Sequence, residues 1–99
     1  MSEQNIQRNI QNKLKSLGCW FVKVITCNKS GTPDIIACVP VEITQDMVGQ
    51  TYGLFMGIEV KQPGKHPSKL QTYQIRKIHE AGGMAQVSYG PHDLKLHLY

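Results

Sequence analysis

Two segments with helical periodicity enclose a series of short apolar runs, and this order restricts the fold more than any other feature of the chain. Over residues 3–17, apolar residues recur every three or four positions, which predicts an amphipathic helix. Ser2 can cap the start of this helix and Gly18 can end it. The apolar positions are Ile6, Ile10, Leu14 and Leu17.

The second predicted helix begins at a cap on Ser68 and runs to about Ala81, where two glycines can adopt the left-handed dihedrals that end a helix. Its inward-facing positions are predicted to be Leu70, Ile75 and Ile78. Residues 62–67 contain two prolines and a glycine, so a loop is expected just before this helix.

Four short runs are rich in aromatic and β-branched residues and predict strands. They are Cys19–Val24, Asp34–Val39, Tyr52–Lys61 and Met84–Ser88. Residues 28–33 favour a turn, and Val41-Glu42-Ile43 is a further β-favouring patch. In the tail after Pro91, Leu94 and Leu98 lie four positions apart, which predicts a short terminal helix. The order α-β-β-β-α-β predicts an α/β (α+β) fold, a small mixed sheet flanked by helices.

The length of 99 residues predicts a single domain spanning residues 1–99. A chain this short buries only about two-thirds of its unfolded surface, so a larger site is expected to need a partner subunit, and a homodimer is predicted. No apolar run approaches the roughly 18 residues of a membrane span. The polar start, residues 1–5, lacks the layout of a signal peptide, so we expect an intracellular protein, in the cytoplasm or in the host cytoplasm if phage-encoded.

Cysteine and histidine usage favours structural roles. Cys19, Cys27 and Cys38 lack zinc-site spacing and are expected to be reduced, with the first and third packed in strands. The four histidines fall in different predicted elements, which argues against a histidine metal site. Trp20 and Tyr73 could stack on bases, but core packing or a dimer interface is the favoured interpretation.

The positive charge of the chain is concentrated in one segment. The formal net charge is +4, and no acidic residue occurs between Glu59 and Glu80. Five of the 11 basic residues lie in that segment: Lys61, Lys65, Lys69, Arg76 and Lys77. This distribution predicts a local positive surface suited to phosphates.

Asp34 and Glu59 are predicted to meet at one edge of the sheet. In an antiparallel hairpin, the start of one strand lies beside the end of its partner. Side chains two apart in a strand share a face about 7 Å apart, so Lys61 should lie beside Glu59 while Val60 points away. Magnesium and manganese need only one or two protein carboxylates alongside a substrate phosphate.

Simpler explanations exist for each of these residues. Asp34 can be a turn acid, Glu59 a strand-end acid and Lys61 its ion-pair partner. Against this, Glu59 interrupts an apolar strand, where an unpaired charge is costly to bury. The combination therefore favours hydrolysis of a phosphodiester, in which the lysine holds or helps to deprotonate the attacking water.

The motifs Gly31-Thr32-Pro33-Asp34 and Glu59-Val60-Lys61, followed by Gln71 in the next helix, resemble the PD-(D/E)XK nucleases. The resemblance is strongest to the VRR-NUC branch, which includes small phage-type proteins and is similar to Holliday-junction resolvases. It covers nearly the whole chain and implies a restriction-endonuclease-like core. Further matching segments are the leading helix with Glu3, residues 39–44 and residues 81–85.

The resemblance implies that Asp34 and Glu59 bind Mg²⁺ or Mn²⁺ together with the Val60 carbonyl, and that Lys61 is the catalytic lysine. It also implies that Glu3 completes the metal site and that Gln71 acts in it. Glu3 and Gln71 each also have a purely structural explanation. An acid in the first turn of a helix is favoured by the macrodipole alone, and Ser68-x-x-Gln71 is a capping box.

The resemblance thus implies a metal-dependent endonuclease that acts on DNA, with selectivity for branched or four-way junction DNA and a homodimeric assembly. Lys65 and Lys69 flank the predicted site and are expected to contact the DNA backbone, as is Ser30, with Asn28 a further candidate. Two alternatives stay open at this point: a catalytically silent DNA-binding module, and a structural subunit of a repair or packaging assembly.

Overall fold

The computed structural model describes residues 1–97, and its elements follow the predicted order. The α-helices and strands are α1 (Glu3–Ser16), β1 (Trp20–Lys23), β2 (Ile35–Cys38), β3 (Met56–Val60), α2 (Lys69–Glu80) and β4 (Met84–Ser88). Short 3₁₀ turns lie at Gln45–Met47 and Pro91–Asp93. The α-β-β-β-α-β order and the mixed sheet flanked by helices are confirmed.

The four strands form one sheet in the order β1-β2-β3-β4. The first two pairs are antiparallel, and β3 pairs with β4 in parallel. A parallel pair cannot be closed by a tight turn, so the chain crosses between these strands through α2. The arrangement puts the carboxyl end of β3 next to the start of α2.

The register of the β2–β3 hairpin brings two acids to the same sheet edge. Ile35 pairs with Ile58 and Ile36 pairs with Gly57. One step further in this register, Asp34 stands opposite Glu59. The predicted hairpin geometry is therefore confirmed.

Helix α1 covers one face of the sheet and supplies the core. Ile6, Ile10 and Leu14 are each at most 3% exposed, because positions four apart lie on one face of a helix. They pack against sheet residues that are also buried: Ile35, Ala37, Met56, Ile58, Val60 and Met84. At roughly 25 cal/mol per Å² of buried apolar surface, this face is the main source of folding free energy.

Helix α2 covers the opposite face only over β3 and β4. Ile75 and Ile78 are half-buried, as expected for the inner side of this helix. The prediction for Leu70 is wrong, because its side chain is 46% exposed and lies against Gly31 rather than in the core. It belongs to the first turn of α2, which packs against the turn at Gly31.

The expectation for the cysteines fails in part. Cys19 is buried, but Cys38 is exposed on the face that α2 leaves open. Trp20 is 66% exposed and Tyr73 is 43% exposed, so neither packs in the core of this chain, and the interface that was the alternative stays a prediction. All three cysteines are free thiols, as predicted.

Two predicted elements take a different form. Residues 41–43 belong to no strand, although Val41 packs against the core. The tail forms a 3₁₀ turn at Pro91–Asp93 and is extended at Leu94, so a terminal α-helix is not present up to residue 97. Leu98 lies outside the described residues. No helix within residues 1–97 is long and apolar enough to cross a membrane.

Candidate active site

The turn before β2 places Asp34 at the sheet edge. Its backbone carbonyl accepts a hydrogen bond from Val24 N at 2.8 Å, and its carboxylate Oδ2 accepts one from Val60 N, also at 2.8 Å. The second bond crosses from β3 to the Asp34 side chain. It fixes one carboxylate oxygen against the strand that carries Glu59.

The Gly31-Thr32-Pro33 segment is packed tightly between α2 and β3. Gly31 has a φ of 82°, and a Cβ there would lie 2.7 Å from the carbonyl oxygen of Leu70. A Cβ on Gly57 would lie 2.8 Å from Cγ of Pro33, which is buried. These two glycines let the turn approach both neighbours and so hold Asp34 in place.

Glu59 is the most buried acid of the site, with a side chain that is 2% exposed. Its Oε2 accepts a hydrogen bond from Nε2 of Gln71 at 3.1 Å. Its Oε1 is buried without a hydrogen-bond partner within residues 1–97. A buried carboxylate oxygen without a partner is uncommon and calls for a ligand or another explanation.

The surroundings of Glu59 favour its protonated form. Burial, and after it the close carboxylate of Asp34, raise the pKa of Glu59 to about 8. Lys61 opposes this shift, and Glu3 adds to it slightly. Two carboxylates that compete for a proton in this way can instead share a cation.

Lys61 follows β3 and lies on the same face as Glu59, as the two-residue spacing predicts. Its Nζ is 4.0 Å from Glu59 Oε2, and its side chain is 17% exposed. Its backbone N donates to Ser88 O at 3.0 Å and continues the pairing with β4. The ammonium is thus close to the acids but still open to solvent.

Gln71 serves the helix cap and the site together. Its Oε1 accepts from Ser68 N at 2.8 Å, and its backbone N donates to Ser68 Oγ at 3.1 Å, which completes the capping box. Its Nε2 remains available and donates to Glu59. The two explanations of this residue are therefore compatible, because opposite ends of one amide carry them.

Glu3 lies in the first turn of α1 and is half-buried. Its charge reaches Glu59, but no group of three His, Cys, Asp or Glu side chains that could hold a metal ion is formed among residues 1–97. Its role as a metal ligand remains a prediction. The Val60 carbonyl as a ligand also remains one, since the contact found for Val60 is through its N–H.

The residues present fit a hard divalent cation. The available donors are carboxylate oxygens, and the partnerless Oε1 of Glu59 lies beside the carboxylate of Asp34. Magnesium and manganese prefer such oxygen ligands and retain several waters. A cation between the two acids would also relieve their mutual repulsion.

The predicted DNA contacts lie on the surface near this edge. Lys65 and Lys69 are exposed and form no ion pair within residues 1–97. The loop that carries Lys65 is fixed at one end by Gln62 Nε2 donating to Met1 O and at the other by Tyr89 OH donating to Lys65 O. Ser30 is exposed and its carbonyl accepts from Gln74 Nε2 at 3.1 Å.

The sequence interpretation missed a polar cluster beside α1, formed by Gln4, Gln7, Arg8, Gln11 and Lys23. Gln7 is 8% exposed, although it is polar. The sequence does contain an indication of this cluster, because Gln7 lies within the helical stripe that also holds Ile6 and Ile10. A polar residue in an otherwise buried stripe indicates an amide with a specific use.

The fold and the site define a small α+β domain in which two acids and a lysine meet at the edge of a mixed sheet. The sequence profile of the VRR-NUC domain matches residues 2–91. The chain belongs to the VRR-NUC family and is a nuclease-type DNA-processing domain.

A solved structure described as a VRR_NUC domain is similar to this chain, with a TM-score of 0.70 and 20% sequence identity. The similarity covers 91% of this chain and 86% of that one. At this identity it supports the fold, an α+β arrangement of a four-stranded mixed sheet and two helices. A comparison with curated proteins gives no match.

Proposed function

We propose that this protein is a divalent-metal-dependent endonuclease that hydrolyses DNA phosphodiester bonds. The observation that carries the proposal is the buried Oε1 of Glu59, which has no hydrogen-bond partner within residues 1–97 and belongs to an acid next to Asp34. Retaining such a group costs stability, and a structural role would be served better by an apolar residue or a complete hydrogen-bond set. A cation-binding role explains why the acid is kept.

In this proposal Asp34 and Glu59 hold Mg²⁺ or Mn²⁺, with Glu3 and the Val60 carbonyl as further ligands. When bound, the ion supplies positive charge that polarises the scissile phosphate and favours ionisation of the attacking water. Lys61 orients that water or takes up its proton and offsets the charge developing on phosphorus oxygens. Gln71 keeps Glu59 in place through its amide. By analogy with the wider nuclease family, the products carry a 5′-phosphate and a 3′-hydroxyl.

The substrate strand is proposed to lie across the exposed basic residues next to the site. Lys65 and Lys69 contact its phosphates on one side, and Ser30 contacts it from the turn that holds Asp34. Neither lysine is engaged by an acid within residues 1–97, so both are available to a polyanion. Such contacts position DNA without reading its sequence.

We further propose a homodimer that acts on branched DNA, including four-way junctions. An exposed apolar surface supports the dimer: it consists of Trp20, Val22 and Phe55, which are 66%, 40% and 39% exposed. Trp20 and Val22 lie opposite Cys38 and Ile36, on the sheet face that α2 leaves open. A second copy that covered this face would supply the burial that a short chain lacks.

The test is cleavage of labelled four-way junction and linear duplex DNA, each with magnesium, with manganese and with chelator. Asp34→Asn and Glu59→Gln should each reduce cleavage at least about a hundredfold, because each removes a charged ligand. The matched controls are Asp46→Asn and Glu42→Gln, exposed acids that are not among the residues assigned to the site, which should cut like the parent.

Three outcomes are informative. Cation-dependent cleavage that both site variants lose supports the assignment, and preference for the junction supports the branched substrate. DNA binding without cleavage under any cation would identify a silent binding module instead. If Asp34→Asn cuts as fast as the parent, the site is wrong.

A further inference from the structure

A polar pocket of about 250 Å³ lies between α1 and β1, outside the residues assigned to hydrolysis. Helix α1 contributes four of its side chains and the end of β1 contributes one. The lining residues are Gln4, Gln7, Arg8, Gln11 and Lys23. Amides and cations without an acid form a surface that can take an anionic ligand with hydrogen-bonding groups.

Gln7 is the unusual member of this pocket. It is 8% exposed, and its Oε1 is buried without a hydrogen-bond partner within residues 1–97. Buried amide oxygens are almost always paired, because leaving one unpaired is costly. Oε1 of Gln7 is therefore suited to a ligand that donates a hydrogen bond, and Nε2 of the same amide can donate to an acceptor on that ligand.

Arg8 and Lys23 supply the charge. Both are exposed, and neither forms an ion pair with an acid of residues 1–97. Arginine and lysine together bind phosphate well, the first through its fork of N–H donors and the second as a point charge. One phosphate between these side chains would interact favourably with both charges.

The pocket lies at the same end of the sheet as the candidate active site, on the side that α1 covers. Lys23 pairs with Ile35 and shares its α1-facing side of the sheet, whereas Asp34, the residue before Ile35, faces the opposite side. Glu3, the acid whose charge reaches Glu59, precedes Gln7 by one turn on α1 and lies on the same side of the helix. A DNA strand that runs from the acids past Glu3 would lie about one helical turn from Gln7.

We propose that this pocket binds one unpaired nucleotide of the DNA substrate, with its phosphate on Arg8 and Lys23 and its base edge on the Gln7 amide. A glutamine amide matches the adjacent donor and acceptor of adenine, N6 and N7. A base stacked and paired in a continuous duplex cannot enter such a pocket. This inference rests on the proposed function and adds that, among branched substrates, those with an unpaired nucleotide at the cleavage point are bound best.

The test measures binding without cleavage, by fluorescence anisotropy of labelled single strands in chelator. The parent should bind a short oligodeoxyadenylate about tenfold more tightly than an abasic strand of equal length. Gln7→Met keeps the side-chain length and removes both hydrogen-bonding groups, so it should bind both strands with the weaker affinity. The control, Gln50→Met, changes an exposed glutamine outside the pocket and should keep the preference.

Two further variants separate charge from base recognition. Arg8→Gln should weaken both strands by a similar factor and reduce the salt dependence of binding. Gln7→Glu keeps the shape but loses the donor and adds a negative charge, so it should weaken both strands as well. Thermal unfolding of Gln7→Met should give a Tm no lower than that of the parent, because the buried Oε1 that it removes has no partner within residues 1–97.

The inference is overturned if the parent does not distinguish the two strands, if Gln7→Met keeps the adenine preference, or if Gln7→Met lowers Tm. The last result would mean that the amide is paired in the free protein. Failure of the nuclease proposal is separate: adenine preference without cleavage under any cation would leave this site intact. Cleavage without adenine preference would remove only this site.

Discussion

Glu59 combines deep burial with a missing hydrogen bond, and this combination determines how the protein should respond to pH. Burial and the neighbouring Asp34 raise the pKa of Glu59 from an ordinary value near 4.5 to about 8. Between these values the folded protein binds more protons than the unfolded chain, so the free energy of unfolding falls as pH rises. Below about pH 4.5 the penalty is absent, and above about pH 8 it is complete.

Glu59→Gln should therefore stabilise the metal-free protein at pH 8 while abolishing cleavage. The gain is expected to be at least about 1.4 kcal/mol, the free energy of one pKa unit, or roughly 5–10 °C in Tm. At pH 5 the gain in stability should be much smaller. Thermal unfolding in chelator at pH 8 and at pH 5 measures the gain, and Glu80→Gln, which changes an exposed acid, is the control. Equal gains at the two pH values would contradict a charge-based penalty.

The positions of Asp34 and Lys61 in the site could be predicted from the sequence. Their spacing in the sequence was enough to predict a shared sheet edge, because strand periodicity and hairpin register are geometric rules. The missing partner of Glu59 Oε1 could not be predicted, since it depends on how Gln71, Asp34 and the backbone divide the available hydrogen bonds.

At the scale of elements, the start of α2 links helix stability to the site. Ser68 and Gln71 close the capping box, and the free end of the Gln71 amide holds Glu59. A change at either residue weakens the cap, but only a change at Gln71 also releases the acid. Variants of Ser68 and Gln71 therefore separate the role in capping α2 from the role in positioning Glu59.

Ser68→Ala should lower the free energy of unfolding by about 1 kcal/mol and leave most of the cleavage activity. Gln71→Met should cost a similar amount of stability and in addition reduce cleavage about 10–100-fold, as loss of a residue that orients a ligand does. Chemical denaturation and junction cleavage measure the two effects. Equal activity loss in both variants would assign the whole effect to the helix start.

The elements themselves were predictable where local periodicity and packing agree. α1 repeats its apolar residues so regularly that its buried face follows directly. Residues 41–43 have β propensity but belong to no strand, and Leu70 has helical spacing but lies, largely exposed, against the turn at Gly31. In both cases tertiary context overrides propensity, and that context depends on sheet width and on the path of the chain.

At the scale of the whole molecule, the sheet has two unequal faces. α1 closes one, whereas α2 covers only the β3–β4 half of the other and leaves Trp20 and Val22 exposed beside β2. Asp34 precedes Ile36 by two residues and therefore lies on this same open face. A partner on this face would approach the site along β2, which connects assembly with substrate access.

If a second copy covers this face, Trp20→Ser should convert the dimer to a monomer, because it removes the largest exposed apolar side chain of the surface. Sedimentation velocity measures the change, and Val48→Ser, at an exposed apolar residue near the Gln45–Met47 turn, is the matched control. The fold should survive, since Trp20 contributes little to the core, and thermal unfolding checks this. A parent protein that sediments as a monomer at every concentration would contradict the dimer. In that case the same open face would be free to contact the DNA.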